Sequence, residues 1–455
     1  MTFWDAVRDL DTSHAIFFFI ALAIAFGFEF INGFHDTANA VTTVIYSRSM
    51  PATPAVIYSG FLNFLGVLLG GIGVAFGIVN LLPVDLLIRA NTSIALVMVL
   101  SLLLAGIIWN LGTWYFGLPV SSSHTLIGSI LGVGLMNSFL SGNGINGVNW
   151  HAAMKTGIAL LVSPLVGFLA AAGLFLLIKS LIREPRLYTP PVGDDRPPTW
   201  VRYVLILSCG SVSFAHGSND GQKGMGLILL VLIGFLPFHY ALDTNKPREA
   251  KNVASVLPEA RELLADQILE SPSLGLDLDC LQKRLAGKTS FSELKPEDRW
   301  EVRQAIYRVE LAMADGNSRD DRRVAVRKSL NGAIQFVPFW VIVGVALALG
   351  IGTTIGYKRI MVTVAEKIGK THLTYAQGAS AEVVAAITIL LADFFHSPVS
   401  TTQVLSSGVA GTMAANKSGI QGGTCRKILL AWAFTLPGTI VLSGILFAIG
   451  RYLVK

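Results

Sequence analysis

The strongest constraint on this chain is a series of long apolar segments, many of them long enough to cross a lipid bilayer. A membrane-spanning helix needs about 20 mostly apolar residues. Only 14% of the 455 residues are charged, whereas soluble domains carry about 25%. The sequence therefore predicts an all-α integral membrane protein with many spans. The apolar segments run approximately over 15–46, 54–80, 92–116, 119–136, 154–182, 200–236, 334–356, 372–393, 398–414 and 428–453.

The first apolar segment contains polar residues that have no favourable place in hydrocarbon. On a helix they step by three or four positions and form a stripe on one face. A charged group in a membrane helix costs roughly 2.5 to 3.5 kcal/mol on insertion scales. The stripe is therefore expected to face a cavity, another helix or a bound ion. Its members are Glu29, Asn32, Asp36, Asn39 and Thr43.

The stripe has a second copy later in the chain. When the two copies are aligned, Asp36 falls on Asp220 and Asn39 falls on Lys223. The two carboxylates would repel a bare anion, so we expect a proton or a cation to travel with any anionic substrate. If a metal ion binds, Asp36 and Asp220 are its expected ligands. The candidates for holding the coupling proton or cation are Asp36, Asp220, Asn32, Asn219, His35 and Glu29.

Lys223 makes the two copies unequal. A fixed ammonium at this position can offset Asp220 or bind the anion, and it disfavours a second metal cation nearby. We therefore hypothesise coupling by protons, with sodium coupling as the alternative. The simpler interpretation of Lys223 is a side chain that reaches out of the membrane to water. Weaker functional candidates are the other intramembrane polar residues His124, His216, Glu382 and Asp393.

A Pro-Val-Ser segment also occurs twice, as Pro119–His124 in the first half of the chain and as Pro398–Gln403 near its end. Each proline is expected to open a short helix, whose free N–H groups and nearby hydroxyls suit an anion. Phosphate or another tetrahedral oxyanion fits such a site. The alternative is that these hydroxyls only cap short, broken helices. The candidate phosphate ligands are Ser121, Ser122, Ser123, Ser400, Thr401, Thr402, Asn39 and Lys223.

These repeats divide the chain into two copies of one unit. The first copy covers 1–182, and the second covers 200–242 and 331–455 after a Pro-rich linker at 183–199. The basic flanks of the linker place it in the cytoplasm, and the acidic N-terminus is expected outside. The copies are then inverted, which is typical of secondary transporters with a site between the two copies.

Residues 243–330 are far more highly charged than the rest of the chain. They hold 16 Lys and Arg and 16 Asp and Glu residues, which predicts a charged helical insert on the cytoplasmic side. It is either a solvated loop without chemistry or a regulatory or partner-binding element. The net charge of +6 is explained by cytoplasmic loops, so no nucleic-acid partner is expected. The three cysteines show no metal or redox spacing.

The two motifs resemble those of a known family. Gly33–Ala40 and Gly217–Gly224 are similar to the paired signature of the inorganic phosphate transporter (PiT) family. Pro119–His124 and Pro398–Gln403 are similar to its two re-entrant helical hairpins. The resemblance covers nearly the whole membrane part, from Phe28 to Leu453, and is greatest to bacterial low-affinity, proton-coupled Pit-type carriers.

This resemblance implies symport of inorganic phosphate across the bacterial inner membrane. The transported species is either free phosphate or a neutral complex of phosphate with a divalent metal. The resemblance also implies a polytopic inverted-repeat fold of about 12 membrane elements and a homodimer embedded in lipid. No cofactor is expected beyond the coupling ion. The family signature reads Gly-Ala-Asn-Asp-Val-Ala-Asn, from which Phe34-His35 and Gln222-Lys223 depart. These departures count against sodium coupling, because the resemblance implies that sodium sites of the family use the signature Asp and Asn residues.

Three other functions share part of this pattern. An intramembrane hydrolase built on Ser123 and His124 is disfavoured, because neighbouring residues on a helix do not face each other and Gln403 replaces the histidine in the second copy. We therefore expect no enzyme activity. A carrier of sulfate or of divalent metals would show nearly all the same features. A channel is disfavoured by the interrupted, site-like motifs.

Overall fold

Helices form nearly all of the regular structure. The computed structural model describes residues 3–8, 10–82, 92–142, 144–191, 196–314 and 320–454. Within these ranges the only β-type pairing is an isolated antiparallel bridge between Gly369 and Ile420. The helices up to the charged insert are α1 (Phe3–Arg8), α2 (Thr12–Tyr46), α3 (Ala52–Leu69), α4 (Gly73–Val79), α5 (Thr92–Tyr115), α6 (Ser122–Leu140), α7 (Trp150–Leu181), α8 (Thr199–Phe235) and α9 (Pro237–Tyr240).

The remaining helices belong to the insert and to the C-terminal third of the chain. Those of the insert are α10 (Glu249–Leu263), α11 (Ala265–Glu270), α12 (Pro272–Leu285), α13 (Pro296–Ala314) and α14 (Asp321–Ile334). Those that follow are α15 (Phe339–Thr353), α16 (Lys358–Val362), α17 (Tyr375–Phe394), α18 (Thr401–Ala415) and α19 (Gly422–Val454). A π-helical turn at Thr363–Lys367 follows α16.

Seven helices of the described ranges are long and apolar enough to cross a membrane, namely α2, α3, α5, α6, α7, α17 and α19. This number makes the chain a multi-pass membrane protein, as the apolar segments predict. The apolar segment at 54–80 is divided between α3 and α4, because the chain leaves the helical conformation at Gly70. The expected total of about 12 membrane elements stays a prediction.

The chain separates into two units. One comprises Met1–Phe18 and Val231–Pro338, and the other comprises Phe19–Leu230 and Phe339–Lys455. The first unit contains the charged insert, which has its own hydrophobic core running from Ala241 to Ile334. The insert is therefore a folded helical module rather than an extended loop.

A buried arginine joins the two ends of this module. Nη1 of Arg303 donates to the carbonyl oxygens of Ala241, at 2.6 Å, and Ile334, at 3.1 Å. The backbone N–H of Asp243 donates to Ala333 nearby, at 3.2 Å. Burial lowers the pKa of the Arg303 guanidinium to about 10. The segments of chain that enter and leave the insert are thus fastened side by side.

The second unit pairs helices that are distant in sequence. Helix α6, which follows the first Pro-Val-Ser segment, packs along α19, and helix α18, which follows the second, packs along α7. We call α6 and α18 the hairpin helices, after the family segments that their motifs resemble. Close backbone approach makes glycine necessary in both pairs: a Cβ on Gly132 would overlap the Ile440 carbonyl oxygen, and a Cβ on Gly411 would overlap the Phe168 carbonyl oxygen. Each hairpin helix is therefore held against a helix from the other half of the chain.

The hairpin helices begin later than the prolines suggest. The prediction that each proline opens its helix is wrong: α6 starts at Ser122 and α18 at Thr401, three residues after the prolines. Ser121 caps α6 by accepting from the N–H of His124, at 3.1 Å, and Ser400 caps α18 in the same way. A serine hydroxyl satisfies one of the free N–H groups of a first turn well, so these two positions fix where the helices start.

Candidate functional site

The centre of the site is the Asp36 carboxylate, which is buried in the C-terminal third of α2. Its Oδ2 accepts a hydrogen bond from Ser122 Oγ, at 2.8 Å, and its Oδ1 accepts one from Thr402 Oγ1. Nδ1 of His35 lies 3.1 Å from the same Oδ1. One hydroxyl comes from α6 and the other from α18, so a single carboxylate joins the starts of both hairpin helices.

The second carboxylate, Asp220 on α8, is paired with a cation. Lys223 Nζ donates to Asp220 Oδ1 at 2.6 Å, to Ser123 Oγ at 2.6 Å and to the Val399 carbonyl oxygen at 2.9 Å. The lysine is only 2% exposed, so it does not reach to water. Its three N–H donors are all used inside the protein, which is how a buried ammonium avoids a large desolvation cost.

The two copies of the motif hold the hairpins differently. Ser123 and Thr402 occupy the same position when the two Pro-Val-Ser segments are aligned. Thr402 donates directly to Asp36, whereas Ser123 reaches Asp220 only through Lys223. The sequence predicts that the two copies of the motif are unequal, because Lys223 replaces an asparagine. In the structure the two copies also differ in their hydrogen bonds.

His216 lies between the two carboxylates. Its Nε2 is 3.8 Å from Asp36 Oδ2 and 3.6 Å from Asp220 Oδ2, and this buried nitrogen has no hydrogen-bond partner among the described residues. Nδ1 is fixed by Asn63 Oδ1, at 2.6 Å. Ser122 Oγ also lies 3.4 Å from Asp220 Oδ2. The three ligand atoms of this His and the two Asp residues lie within 4.8 Å of one another and could hold a metal ion.

The predicted phosphate ligands fall into three groups. Ser122, Ser123, Thr402 and Lys223 meet at the carboxylates, as described above. Ser121 and Ser400 are occupied as caps of their own helices, as the alternative interpretation of the motif expected. Thr401 Oγ1 is buried without a hydrogen-bond partner in the described part of the chain, and the side chain of Asn39 lies outside the described residues.

The other coupling candidates surround this centre without bonding to it. Glu29 is fully buried against Gly224, and both of its carboxylate oxygens lack a hydrogen-bond partner within the described ranges. Asn32 is buried, and its Oδ1 lacks a partner there as well. Asn219 points to the chain before α18, where its Oδ1 accepts from the N–H of Val399, at 3.5 Å, and its Nδ2 donates to the Ser397 carbonyl oxygen, at 3.4 Å. Asn219 therefore contacts the segment that leads into α18.

Two of the weaker candidates from the sequence, Glu382 and Asp393, lie on α17. Glu382 is fully buried and accepts hydrogen bonds from Thr43 and Ser208. Asp393 accepts from Ser218 and, at 2.6 Å, from Gln222 Nε2. Their spacing, about three helical turns, puts both on one face of α17, which is a signal that the sequence did contain.

Comparison with known proteins identifies the family of the chain. Residues 32–443 match the model of the Phosphate transporter family. The "Low-affinity inorganic phosphate transporter PitA" of Escherichia coli K12 is 43% identical over 96% of this chain and 97% of its own length. The PitB protein of the same strain is 41% identical over 98% and 99%. A "Probable low-affinity inorganic phosphate transporter" of Bacillus subtilis is 27% identical over 93% and 94%.

A solved structure described as "The sodium-dependent phosphate transporter" has the same fold. It is 21% identical, covers 96% of this chain and 99% of its own chain, and superposes with a TM-score of 0.57. The similar proteins are named as transporters, which are not enzymes. On the family match and the PitA identity together, this chain belongs to the phosphate transporter family.

Proposed function

We propose that this protein is a secondary carrier that imports inorganic phosphate across the bacterial inner membrane together with protons. The observation that carries the proposal is the buried Asp36 carboxylate, which receives one hydroxyl from each hairpin helix through Ser122 and Thr402. Neutral hydroxyl donors from two helix starts suit a tetrahedral oxyanion. A carboxylate in the same place requires that its charge be neutralised before the anion can bind.

The hydroxyls give a physical mechanism for coupling. While Asp36 is ionised, Ser122 and Thr402 are held by its oxygens, and the negative charge repels phosphate. Protonation of Asp36 removes the repulsion and weakens these charge-assisted hydrogen bonds. The hydroxyls can then turn to phosphate, together with Thr401, whose hydroxyl has no partner among the described residues. Proton and phosphate binding therefore favour each other, which is the requirement for symport.

Lys223 supports protons rather than two sodium ions as the coupling ions. Its ammonium is bonded to Asp220 Oδ1 at 2.6 Å, where a second metal ion would otherwise be expected. The charge of Asp220 is therefore already balanced inside the protein. Sodium coupling, which the name of the similar solved structure states for that protein, is the competing hypothesis.

A second candidate substrate is a complex of phosphate with a divalent metal ion. Two carboxylates and an imidazole nitrogen that makes no hydrogen bond within the described ranges converge at Asp36, His216 and Asp220, and this donor set can bind a divalent cation. Uptake that disappears on addition of a chelator and returns with Mg²⁺ or Mn²⁺ would favour this version. Uptake that is unaffected by the chelator would favour free phosphate.

We propose an inverted-repeat architecture for the membrane part. Gly132 and Gly411 occupy equivalent positions of the two hairpin helices, and they approach the carbonyl groups of Ile440 in α19 and Phe168 in α7. Counted from the starts of their helices, Ile440 and Phe168 stand at the same position. Equivalent positions of the two copies thus make equivalent contacts, each with a helix of the other copy, and this supports a two-fold relation between them.

Opposite membrane orientation of the two copies can be tested with cysteine labelling. Ser141 follows α6 and Lys417 follows α18. In an inverted arrangement, an impermeant thiol reagent should label Ser141→Cys from the periplasm and Lys417→Cys from the cytoplasm. Labelling of both from the same side would contradict the inversion. Cross-linking in native membranes tests the homodimer that the family resemblance implies.

The assignment of the site is tested with neutral variants of the two carboxylates. Asp36→Asn and Asp220→Asn should each abolish uptake of radiolabelled phosphate, because the charge that links proton binding to phosphate binding is lost. Both variants should be recovered from the membrane fraction and should give a monodisperse peak in size-exclusion chromatography. Asp279→Asn, at an exposed position of the insert, is the matched control. Normal uptake by both central variants would refute the assignment.

A further inference from the structure

Glu382 is a second buried carboxylate within the membrane part, and the site described above does not use it. It is fully buried, and its Oε1 and Oε2 accept hydrogen bonds from Thr43 Oγ1 and Ser208 Oγ respectively. These three residues come from three helices, α17, α2 and α8. No described Lys, Arg or His lies within ion-pair distance of the Glu382 carboxylate, so its charge has no counterion among the described side chains.

The surroundings of Glu382 are poor in charge. On α8 the titratable neighbour is the buried thiol of Cys209, which interacts electrostatically with Glu382. On α2 the titratable group nearest to Thr43 in sequence is Tyr46, which donates to Glu366 at 2.5 Å. Helix α18, which packs on α17, contains no titratable residue. Helix α7 also packs on α17, and its titratable residues are exposed and close to its ends: His151, Lys155 and Lys179.

Helix packing does not require polar residues at this location. When the two copies are aligned, Thr43 corresponds to Leu227, Ser208 to Ile24 and Glu382 to Leu103. The corresponding three positions are thus all apolar in the other copy. Because burying a carboxyl group costs several kcal/mol relative to an apolar side chain, a polar triad in only one copy indicates a function beyond packing.

The triad continues the polar stripe of α2. Thr43 follows Asp36 by two helical turns, which is about 10 Å along the same face. The hydroxyl of Thr43 that bonds Glu382 therefore belongs to the same face of α2 as the central carboxylate. Glu382 therefore lies beside the same polar face of α2 as Asp36, but closer to the end of the helix at Tyr46.

We propose that Glu382 is a second proton-binding residue of this carrier, distinct from the phosphate site and loaded with its own proton during each import cycle. The proposal rests on the proton coupling proposed above. The ionised carboxylate takes up one proton to become a carboxylic acid and later releases it, and no other bond is broken. One carboxylate and two hydroxyls supply only four oxygens, whereas hard divalent cations take six or more, so a proton suits the triad better than a divalent metal ion.

The test separates phosphate exchange from proton-driven accumulation. The variant Glu382→Gln keeps the shape and can still accept a hydrogen bond from a hydroxyl, but it cannot bind a proton. In proteoliposomes with phosphate on both sides, exchange of labelled for unlabelled phosphate needs no net proton movement and should stay close to the wild-type rate. Under an inward proton gradient, net accumulation should fall.

The size of the fall follows from the energy of one proton. A proton that moves down one pH unit supplies about 1.36 kcal/mol, which is a factor of ten in an equilibrium ratio. Loss of one coupled proton should therefore lower the steady-state accumulation about tenfold for each pH unit of imposed gradient. The conservative variant Glu382→Asp, which still binds a proton, should restore most of the pH dependence.

Two results would overturn this role of Glu382. One is wild-type accumulation by Glu382→Gln, and the other is loss of both exchange and accumulation in a Glu382→Gln protein that is monodisperse, since Glu382 would then serve the fold or the phosphate site. Wild-type protein that ignores the pH gradient would refute the proposed proton coupling itself. The wild-type measurement alone reveals that failure, so it is distinguishable from a failure of the Glu382 assignment.

Discussion

Replacement of Lys223 by methionine should destabilise the protein through the charge that it leaves behind. The Lys223 Nζ–Asp220 Oδ1 distance is 2.6 Å, which corresponds to an attraction of roughly 6 kcal/mol at an effective dielectric constant of about 20. Methionine has a similar length but cannot donate. The variant therefore leaves the buried Asp220 carboxylate and the Ser123 and Val399 oxygens without the ammonium, and breaking a buried pair in this way costs about 3 to 5 kcal/mol.

A double-mutant cycle measures this interaction. Lys223→Met, Asp220→Asn and the double variant are compared by unfolding in mixed micelles with increasing SDS. Because the double variant has no unpaired charge, it should be more stable than Lys223→Met, with a coupling energy of about 3 kcal/mol. A coupling energy near zero would show that Lys223 does not balance Asp220. The argument that the Lys223 ammonium favours proton coupling would then fail.

Three further predictions concern other parts of the structure. Gly132→Ala should cost about 1 to 3 kcal/mol by overpacking against Ile440, whereas Gly157→Ala, with open space around it, should be neutral in the same unfolding assay. Arg303→Met removes the donor shared by two carbonyl groups and should cost about 1 to 3 kcal/mol, seen as faster hydrogen exchange within the insert. Lys223→Asn places there the residue found at the equivalent position of the first copy and should make phosphate uptake respond to a sodium titration.

The helical membrane fold and the polar stripe of α2 could be predicted from the sequence because both depend on local patterns. Long apolar segments predict the helices, and the spacing of three and four residues places the polar stripe on one face of α2. The four stripe residues whose side chains are described, Glu29, Asn32, Asp36 and Thr43, are all buried. Burial of a polar face inside the protein is what the cost of polar groups in hydrocarbon requires.

The partners of these residues could not be predicted in the same way. Thr402 is 366 positions from the Asp36 carboxylate that it contacts, and neither sequence motif contains information about that distance in space. The alternative that Lys223 reaches to water is wrong, because its side chain is buried and its ammonium bonds to Ser123 and Asp220. These partners lie on different helices, which only the folded structure brings together.

The roles of the individual serines could not be predicted from the sequence. A Pro-Val-Ser-Ser-Ser sequence does not reveal which hydroxyl caps the helix and which faces inward. In the structure Ser121 caps α6, whereas Ser122 and Ser123 bond to groups of the central cluster. Because α6 starts three residues after Pro119, Ser121 stands at the capping position and the next two serines stand in the first turn of the helix.

The central claim is that protons drive phosphate through the Asp36–Asp220 cluster. The most direct measurement is uptake of radiolabelled phosphate by purified protein in proteoliposomes, with either a proton or a sodium gradient imposed and with sulfate as competitor. We predict uphill uptake under an inward proton gradient in sodium-free buffer, with no competition by sulfate. Uptake that requires sodium and ignores the proton gradient, or uptake that sulfate inhibits as strongly as unlabelled phosphate, would contradict the account.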